Sequence, residues 1–207
     1  MPITYDFSGR TAVVTGASKG IGCRVLERLR GAGARVWAWD MSPVRDEGIS
    51  SIRVDVRDGQ QIAAALQQVL SQNGRVDILV NSAGYLGGYR SFEEHDRSDW
   101  QQIVSTNLFG VLEVCSQVLP HMRRVGEGRI VNMGSLAGKD GLANMPLYSA
   151  ASAGQPGRPA RSEVGDALRP RLRVLRPLTA TVLRAPRHLI VSMGYGGTRE
   201  RVVQRLR

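Results

Sequence analysis

The sequence predicts a single α/β domain with a doubly wound parallel sheet of Rossmann type. Five short runs rich in β-branched and apolar residues recur along the first two thirds of the chain, and stretches with helical apolar spacing separate them. A glycine-rich turn joins the first run to the first helical stretch. Runs that are apolar almost throughout suit a sheet covered on both faces, and their alternation with helices makes that sheet parallel.

The first strand is "TAVVT" (11–15), followed by "GIGCRVLERLRGAGA", whose Ile21, Val25, Leu26 and Leu29 form a helical stripe before a glycine pair suited to a C-cap. "RVWAW" (35–39) and "SIRVD" (51–55) follow as strands. Asp58 is placed as the N-cap of "GQQIAAALQQVLSQNG", with Ile62, Leu66, Val69 and Leu70 on one face. "DILVN" (77–81) is the fourth strand. From about Asp99 to Arg124 a longer helix carries Ile103, Leu108, Val111, Leu112, Cys115 and Leu119, and Pro120 is expected to bend or end it. "RIVNM" (129–133) is the fifth strand.

At 207 residues and 42% hydrophobic composition the chain suits one soluble domain. Its formal charge of +10 is unevenly placed: residues 153–207 carry twelve Arg and no Lys against Glu163, Asp166 and Glu200. The remainder is electrically ordinary, so the charge does not mark the whole domain as a nucleic-acid or membrane binder. Cys23 and Cys115 lie in apolar-periodic segments and read as reduced core residues, which with the lack of a signal pattern points to the cytoplasm. No apolar run reaches the ~18 residues expected of a membrane span. His95, His121 and His188 lack ligand spacing, so no metal site is expected.

"TGASKGIG" (Thr15 to Gly22) lies between a strand and a helix, where a phosphate loop must sit. Glycines there permit a tight turn and close backbone approach, and the helix N-terminus offers free N–H groups to a pyrophosphate. Asp40 closes the second strand, where a carboxylate can accept from both adenosine ribose hydroxyls and repel a 2′-phosphate. That favours NAD. Lys19 in the glycine loop favours NADP, which stays as the alternative.

At these residues the sequence resembles the short-chain dehydrogenase/reductase family. The matches are "TGASKGIG", Asp55-Val56, "NSAG" (Asn81 to Gly84), Asn107 in "STNLFG", Ser135 in "NMGSLAG" and Tyr148, in family order, covering residues 7 to about 154. The resemblance implies hydride transfer between a nicotinamide and a secondary alcohol or ketone, with a sugar-derived or 3-oxoacyl compound among the substrates considered. It also implies the site residues. Gly16, Ser18, Lys19, Gly20, Ile21, Gly22 and Asp40 would hold the dinucleotide, Asp55 and Val56 would flank its adenine, and Asn81, Ala83 and Gly84 would floor the ribose and nicotinamide. Ser135 would bond the substrate oxygen, Tyr148 would exchange its proton, and Asn107 would hold a water in the proton path. A homo-oligomer is the family expectation.

The chemistry needs such groups, since a ketone accepting hydride becomes an alkoxide and requires a donor and an oxyanion partner. A free phenol, with a pKa of ~10, is a poor base at neutral pH unless a cation lowers that value. The family places a Lys four residues after the Tyr, but here position 152 is Ser. Ser152 shares a helix face with Tyr148 and can hydrogen-bond but supplies no charge. Lys139 is the nearest cation in sequence to Ser135 and Arg158 follows Ser152, and neither is expected to substitute. Weak or absent turnover is therefore expected, with a catalytically inactive dinucleotide-binding protein as the second reading.

Composition changes near Gly154, dividing the chain into a dinucleotide-binding part (1–154) and an Arg- and Pro-rich tail (155–207). Pro156 and Pro159 fall where the family continues a helix. Two accounts of the tail remain open. It is either a worn family C-terminus, with "LRVLRPL" (172–178) and "HLIVSMGYGG" (188–197) as sixth and seventh strands, or the product of a frame change near Gln155. A nucleic-acid arm is the weakest reading of the arginines, since Tyr195 is the tail's only aromatic.

Overall fold

A computed structural model describes residues 5–156 and the backbone of two later segments, 180–185 and 188–195. The first strand, β1 (Thr11–Thr15), is buried along its whole length. It leads through the glycine turn into α1 (Gly20–Gly31) and then β2 (Arg35–Asp40). β3 (Ile49–Arg53), α2 (Gly59–Asn73) and β4 (Ile78–Asn81) follow. A helical run then passes through α3 (Arg97–Val104), a π-helical turn (Ser105–Phe109) and α4 (Gly110–Val125). β5 (Gly128–Ser135), α5 (Ala137–Asp140) and α6 (Pro146–Gly154) complete the continuous part, and β6 (Ala180–Ala185) and β7 (His188–Tyr195) are the later strands.

The strand order is β3-β2-β1-β4-β5-β7-β6. β1 pairs in parallel with β2 on one side (Thr11 opposite Arg35) and with β4 on the other (Ala12 opposite Ile78). The chain thus leaves β1 in both directions, which opens a crevice at the carboxyl ends of the strands. β7 adds to β5 in parallel, and β6 pairs with β7 antiparallel.

Successive residues of β1 face opposite sides of the sheet, so two cores form. Val13, Trp37, Trp39, Leu79 and Ile130 pack against Ile62, Leu66 and Val69 of α2 and Val114, Val118 and Met122 of α4. Ala12, Val14, Val36, Ala38, Ile78 and Val80 pack against Leu26 and Leu29 of α1. Asp58 caps α2 as its position suggests, accepting from the N–H groups of Gln60 at 2.9 Å and Gln61 at 3.1 Å.

Several sequence expectations require correction. The third strand lies two residues earlier than "SIRVD", and its Ser50, Ser51 and Arg53 are exposed because it is the edge strand. Ile21 is exposed, standing over the glycine turn, while Leu26 and Leu29 carry the burial of α1. Of the expected glycine pair only Gly33 turns left-handed, at φ 90°. Pro120 does not end its helix, which continues to Val125 and stops at left-handed Gly126. The irregularity sits earlier, in the π turn, where Gly110 N–H reaches back five residues to Ser105 O. On α4 the buried stripe is Val111, Val114, Val118 and Met122, leaving Leu112 exposed.

Among the described residues the run Arg97–Val125 is long and apolar enough, by length and composition alone, to cross a bilayer. Its inward stripe belongs to the sheet's core, which explains the apolarity. α6 ends where the prolines require: Gln155 is extended (ψ 144°) before Pro156, because a residue preceding proline is pushed out of the helical region. The "LRVLRPL" strand lies outside the described residues, and the observed sixth strand is Ala180–Ala185. "HLIVSMGYGG" does contain a strand, β7.

Candidate active site

The glycine turn is built for close approach. Gly16 has φ 66°, and a Cβ there would come within 2.6 Å of the Ala83 backbone, so only glycine allows the β1 and β4 ends to meet. Thr15 Oγ1 reinforces that contact by accepting from the N–H groups of Ser82 and Ala83, both at 3.1 Å. A Cβ on Gly22 would collide with Gly16 O, which keeps α1 tight against the turn. Gly20 is also left-handed, at φ 59°, with open space around it.

No side chain caps α1 at Lys19, and its first turn carries no acid. Its leading N–H groups and positive dipole end are therefore available to an anion. Asp40 stands beside this turn and accepts from Ser18 N–H and Ser42 N–H, each at 2.9 Å. A carboxylate offers about four lone-pair sites, so further hydroxyls can be accommodated. Lys19 is exposed and Ser18 partly so.

Beyond β2, a cavity of about 340 Å³ is lined by Met41, Arg53, Asp55 and Gln61. Arg57 clamps Asp55 through Nε at 2.9 Å and Nη2 at 2.6 Å, which holds the Asp55 carboxyl below its usual range. Val56 does not present its side chain to this cavity. It is buried against Gly110 of α4, where an added Cβ would lie 2.8 Å from it. These features fit a dinucleotide: the α1 N-terminus would cradle its phosphates and Asp40 would accept from a ribose, with a cavity beside Asp55.

At the end of β4, Asn81 is buried and its Nδ2 donates to Asn132 Oδ1 at 2.8 Å and to Cys115 Sγ at 3.2 Å. Burial pushes the Cys115 thiol up to about 11, so it stays protonated and inert, and both cysteines are free. Asn81 therefore organises the sheet end, while partly exposed Ala83 and exposed Gly84 form the chain surface above it.

Asn107 occupies the π turn and is buried. Its Oδ1 accepts from Tyr85 N–H at 2.7 Å and its Nδ2 donates to Tyr85 O at 2.7 Å, so it grips the loop after β4 with both ends of its amide. π turns are rare and recur at functional sites. Ser135 ends β5, its Oγ accepting from Ala137 N–H at 3.2 Å. Tyr148 lies in the first turns of α6, whose start is set by Pro146 at the first helical position. α6 packs closely on α5: a Cβ on Gly138 would meet the Ser152 carbonyl carbon at 2.6 Å. Ser152 is half-buried at this contact. Lys139 is exposed and lies 3.9 Å from Asp140, and Arg158 falls outside the described residues.

Two features escaped sequence reasoning. Gln155 Nε2 donates to Asn107 O at 2.9 Å, and Asn132 Nδ2 donates to Pro156 O at 2.8 Å. The first had a signal: 148, 152 and 155 follow helical spacing on one face. The segment from Tyr85 to Trp100 exposes Tyr85, Leu86, Tyr89, Phe92 and Trp100. Within it Arg90 lies 2.9 Å from Asp99.

The sequence profile of the short chain dehydrogenase family matches residues 10–157. The chain belongs to this family. Among its short chain dehydrogenase relatives, the 2-dehydro-3-deoxy-L-rhamnonate dehydrogenase (NAD(+)) of Sphingomonas sp. (strain SKA58) is 35% identical, over 72% of this chain and 62% of that one. The 3-oxoacyl-[acyl-carrier-protein] reductase FabG of Escherichia coli (strain K12) is 34% identical, over 72% and 64%. A solved NAD+-bound xylitol dehydrogenase superposes with a TM-score of 0.68 at 29% identity, over 72% of this chain and 61% of that one. The chain thus spans less than two thirds of the length of these relatives. The family and its Rossmann-type fold stand for residues 10–157, and among the described residues no group of His, Cys, Asp and Glu is arranged to hold a metal.

Proposed function

We propose that this chain binds a nicotinamide dinucleotide, NAD ahead of NADP, and that its site is arranged for hydride transfer between a secondary alcohol and a ketone. The observation that carries the binding reading is the uncapped α1 N-terminus behind Gly16, Gly20 and Gly22, with Asp40 at its side. Asp40 favours NAD because a 2′-phosphate would meet a carboxylate.

When bound, the nicotinamide would supply or accept the hydride. Ser135 would donate its hydroxyl hydrogen to the substrate oxygen, and Tyr148 would give the alkoxide its proton in reduction or remove it in oxidation. Asn107 holds the Tyr85 loop. Sugar-derived and 3-oxoacyl carbonyl compounds are the substrate classes we put forward, in keeping with the names of two relatives. We also propose a cytoplasmic protein that associates with its own kind, through the exposed Phe109 and Leu112 of the long helical run.

A second reading, binding without turnover, is favoured by Ser152. A hydroxyl cannot lower a phenol's pKa as a cation does. NADH fluorescence titration tests binding, and no enhancement at millimolar dinucleotide would refute it. A steady-state assay with 3-oxoacyl and sugar-acid ketones separates the readings: turnover within the ordinary range of ~1–1000 per second would discard the impaired site.

A further inference from the structure

We propose that Gln155 is a positioning residue for this site, tying the helix that carries Tyr148 to the π turn that carries Asn107. The inference rests on the hydride-transfer reading above. Tyr148, Ser152 and Gln155 lie one helical turn apart in succession, so the last of them reaches back along the face on which the phenol stands. Its Nε2 donates to the main-chain carbonyl of Asn107 at 2.9 Å. From there Asn107 extends both ends of its amide to Tyr85, at 2.7 Å each. A single chain of hydrogen bonds therefore runs from the end of α6, through the π turn, to the loop after β4.

The orientation of the Gln155 amide is forced. Asn107 O can only accept, so the amide nitrogen must face it, and a flipped amide would set oxygen against oxygen. Its Oε1 is then buried without a hydrogen-bond partner among the described residues. An apolar side chain of equal length would fill the same space without burying an unpartnered amide oxygen. A glutamine is disfavoured here on packing grounds alone, and the bond to Asn107 is what it contributes. The neighbouring bond from Asn132 Nδ2 to Pro156 O, 2.8 Å, pins the backbone just beyond, so the side chain works from an anchored base. With Ser152 contributing no charge, alignment of Tyr148 with Asn107 is the lever this site retains.

The test compares wild type with Gln155→Met, which keeps length and loses the donor, and Gln155→Glu. The first readout is amide hydrogen exchange at Tyr85 in the ligand-free protein, whose N–H is held by Asn107 Oδ1. Exchange about tenfold faster in Gln155→Met is expected, and exchange within twofold of wild type would overturn the proposal. The second readout is the pH profile of Gln155→Glu. A carboxylate repels the Asn107 carbonyl, whereas a protonated carboxyl donates to it, so Tyr85 protection should return as pH falls through the carboxyl range. Protection that does not change with pH would count against the proposal, and this readout stands even where Gln155→Met fails to fold. Where turnover is measurable, Gln155→Met should lower kcat about tenfold with KM within twofold, as for loss of alignment rather than of binding. Absence of turnover in wild type would refute the hydride-transfer reading, while Tyr85 exchange would still decide the role of Gln155.

Discussion

Replacing Asn107 by Ala should destabilise the ligand-free protein by an amount that follows from its contacts. The substitution removes two hydrogen bonds of 2.7 Å, one to Tyr85 N–H and one from Asn107 Nδ2 to Tyr85 O. Each intramolecular hydrogen bond contributes about 1 kcal/mol net, with a spread of about 0.5 either way. Tyr85 is partly exposed, so water can take up some of its freed groups and the full buried-group penalty does not apply. The expected loss is therefore about 2 kcal/mol. For a domain of this size that corresponds to a drop of roughly 4–8 °C in Tm. Urea unfolding followed by far-UV circular dichroism should show a lower midpoint at unchanged slope. Asn107→Asp should not rescue, because a carboxylate keeps the acceptor for Tyr85 N–H but faces Tyr85 O with no donor. Stability of Asn107→Ala within about 0.5 kcal/mol of wild type would refute the view that this amide holds the loop.

Gly16→Ala sets a Cβ 2.6 Å from the Ala83 backbone at a left-handed φ, and should weaken NADH binding by at least about tenfold in a fluorescence titration. Equal affinity would mean that the glycine turn is not the phosphate cradle. Asp40→Ala should weaken NADH and improve NADPH relative to it, and an unchanged ratio would remove Asp40 from the ribose site. His121 is buried and its pKa is lowered, first by burial and then by Arg124 and Arg75, against the opposing pull of Asp77. The unfolded chain then binds the proton more readily, so stability is full above the unfolded value of 6.5 and declines as pH falls through it toward the lower folded value. Urea midpoints at about pH 7.5 and about pH 5.5 should differ less in His121→Gln than in wild type, and an equal difference would show that His121 does not carry the effect.

The contrast between the parts read correctly and those misread is physical. β1 and β2 lie at the centre of the sheet, where both faces are buried and an unbroken apolar run has one interpretation. β3 is an edge strand, and its bounds slipped because only one side pairs and its residues are mostly exposed. The Asp58 cap was legible because a side chain two and three residues from the N–H groups it accepts acts locally. α4 was not, since Val111, Leu112, Val114, Cys115, Val118 and Leu119 are apolar nearly all round. Docking on the sheet selected Val111, Val114 and Val118 for the core and left Leu112 outside.

From its sequence alone this protein is a dinucleotide-type α/β fold, and its resemblance to the short-chain dehydrogenases is what proposes Ser135 and Tyr148 as a donor pair, with Ser152 where that family places a cation. Those properties are written locally, in glycines at a strand-to-helix turn, in runs of one periodicity and in residue types at fixed spacing. Tertiary structure decided which way the long helical run faces, and it widened that run at Asn107 rather than at Pro120. It also bonded Gln155 to Asn107 across 48 positions of chain. A contact between segments so far apart leaves no periodicity to read, because only packing against the sheet brings the end of α6 over the π turn.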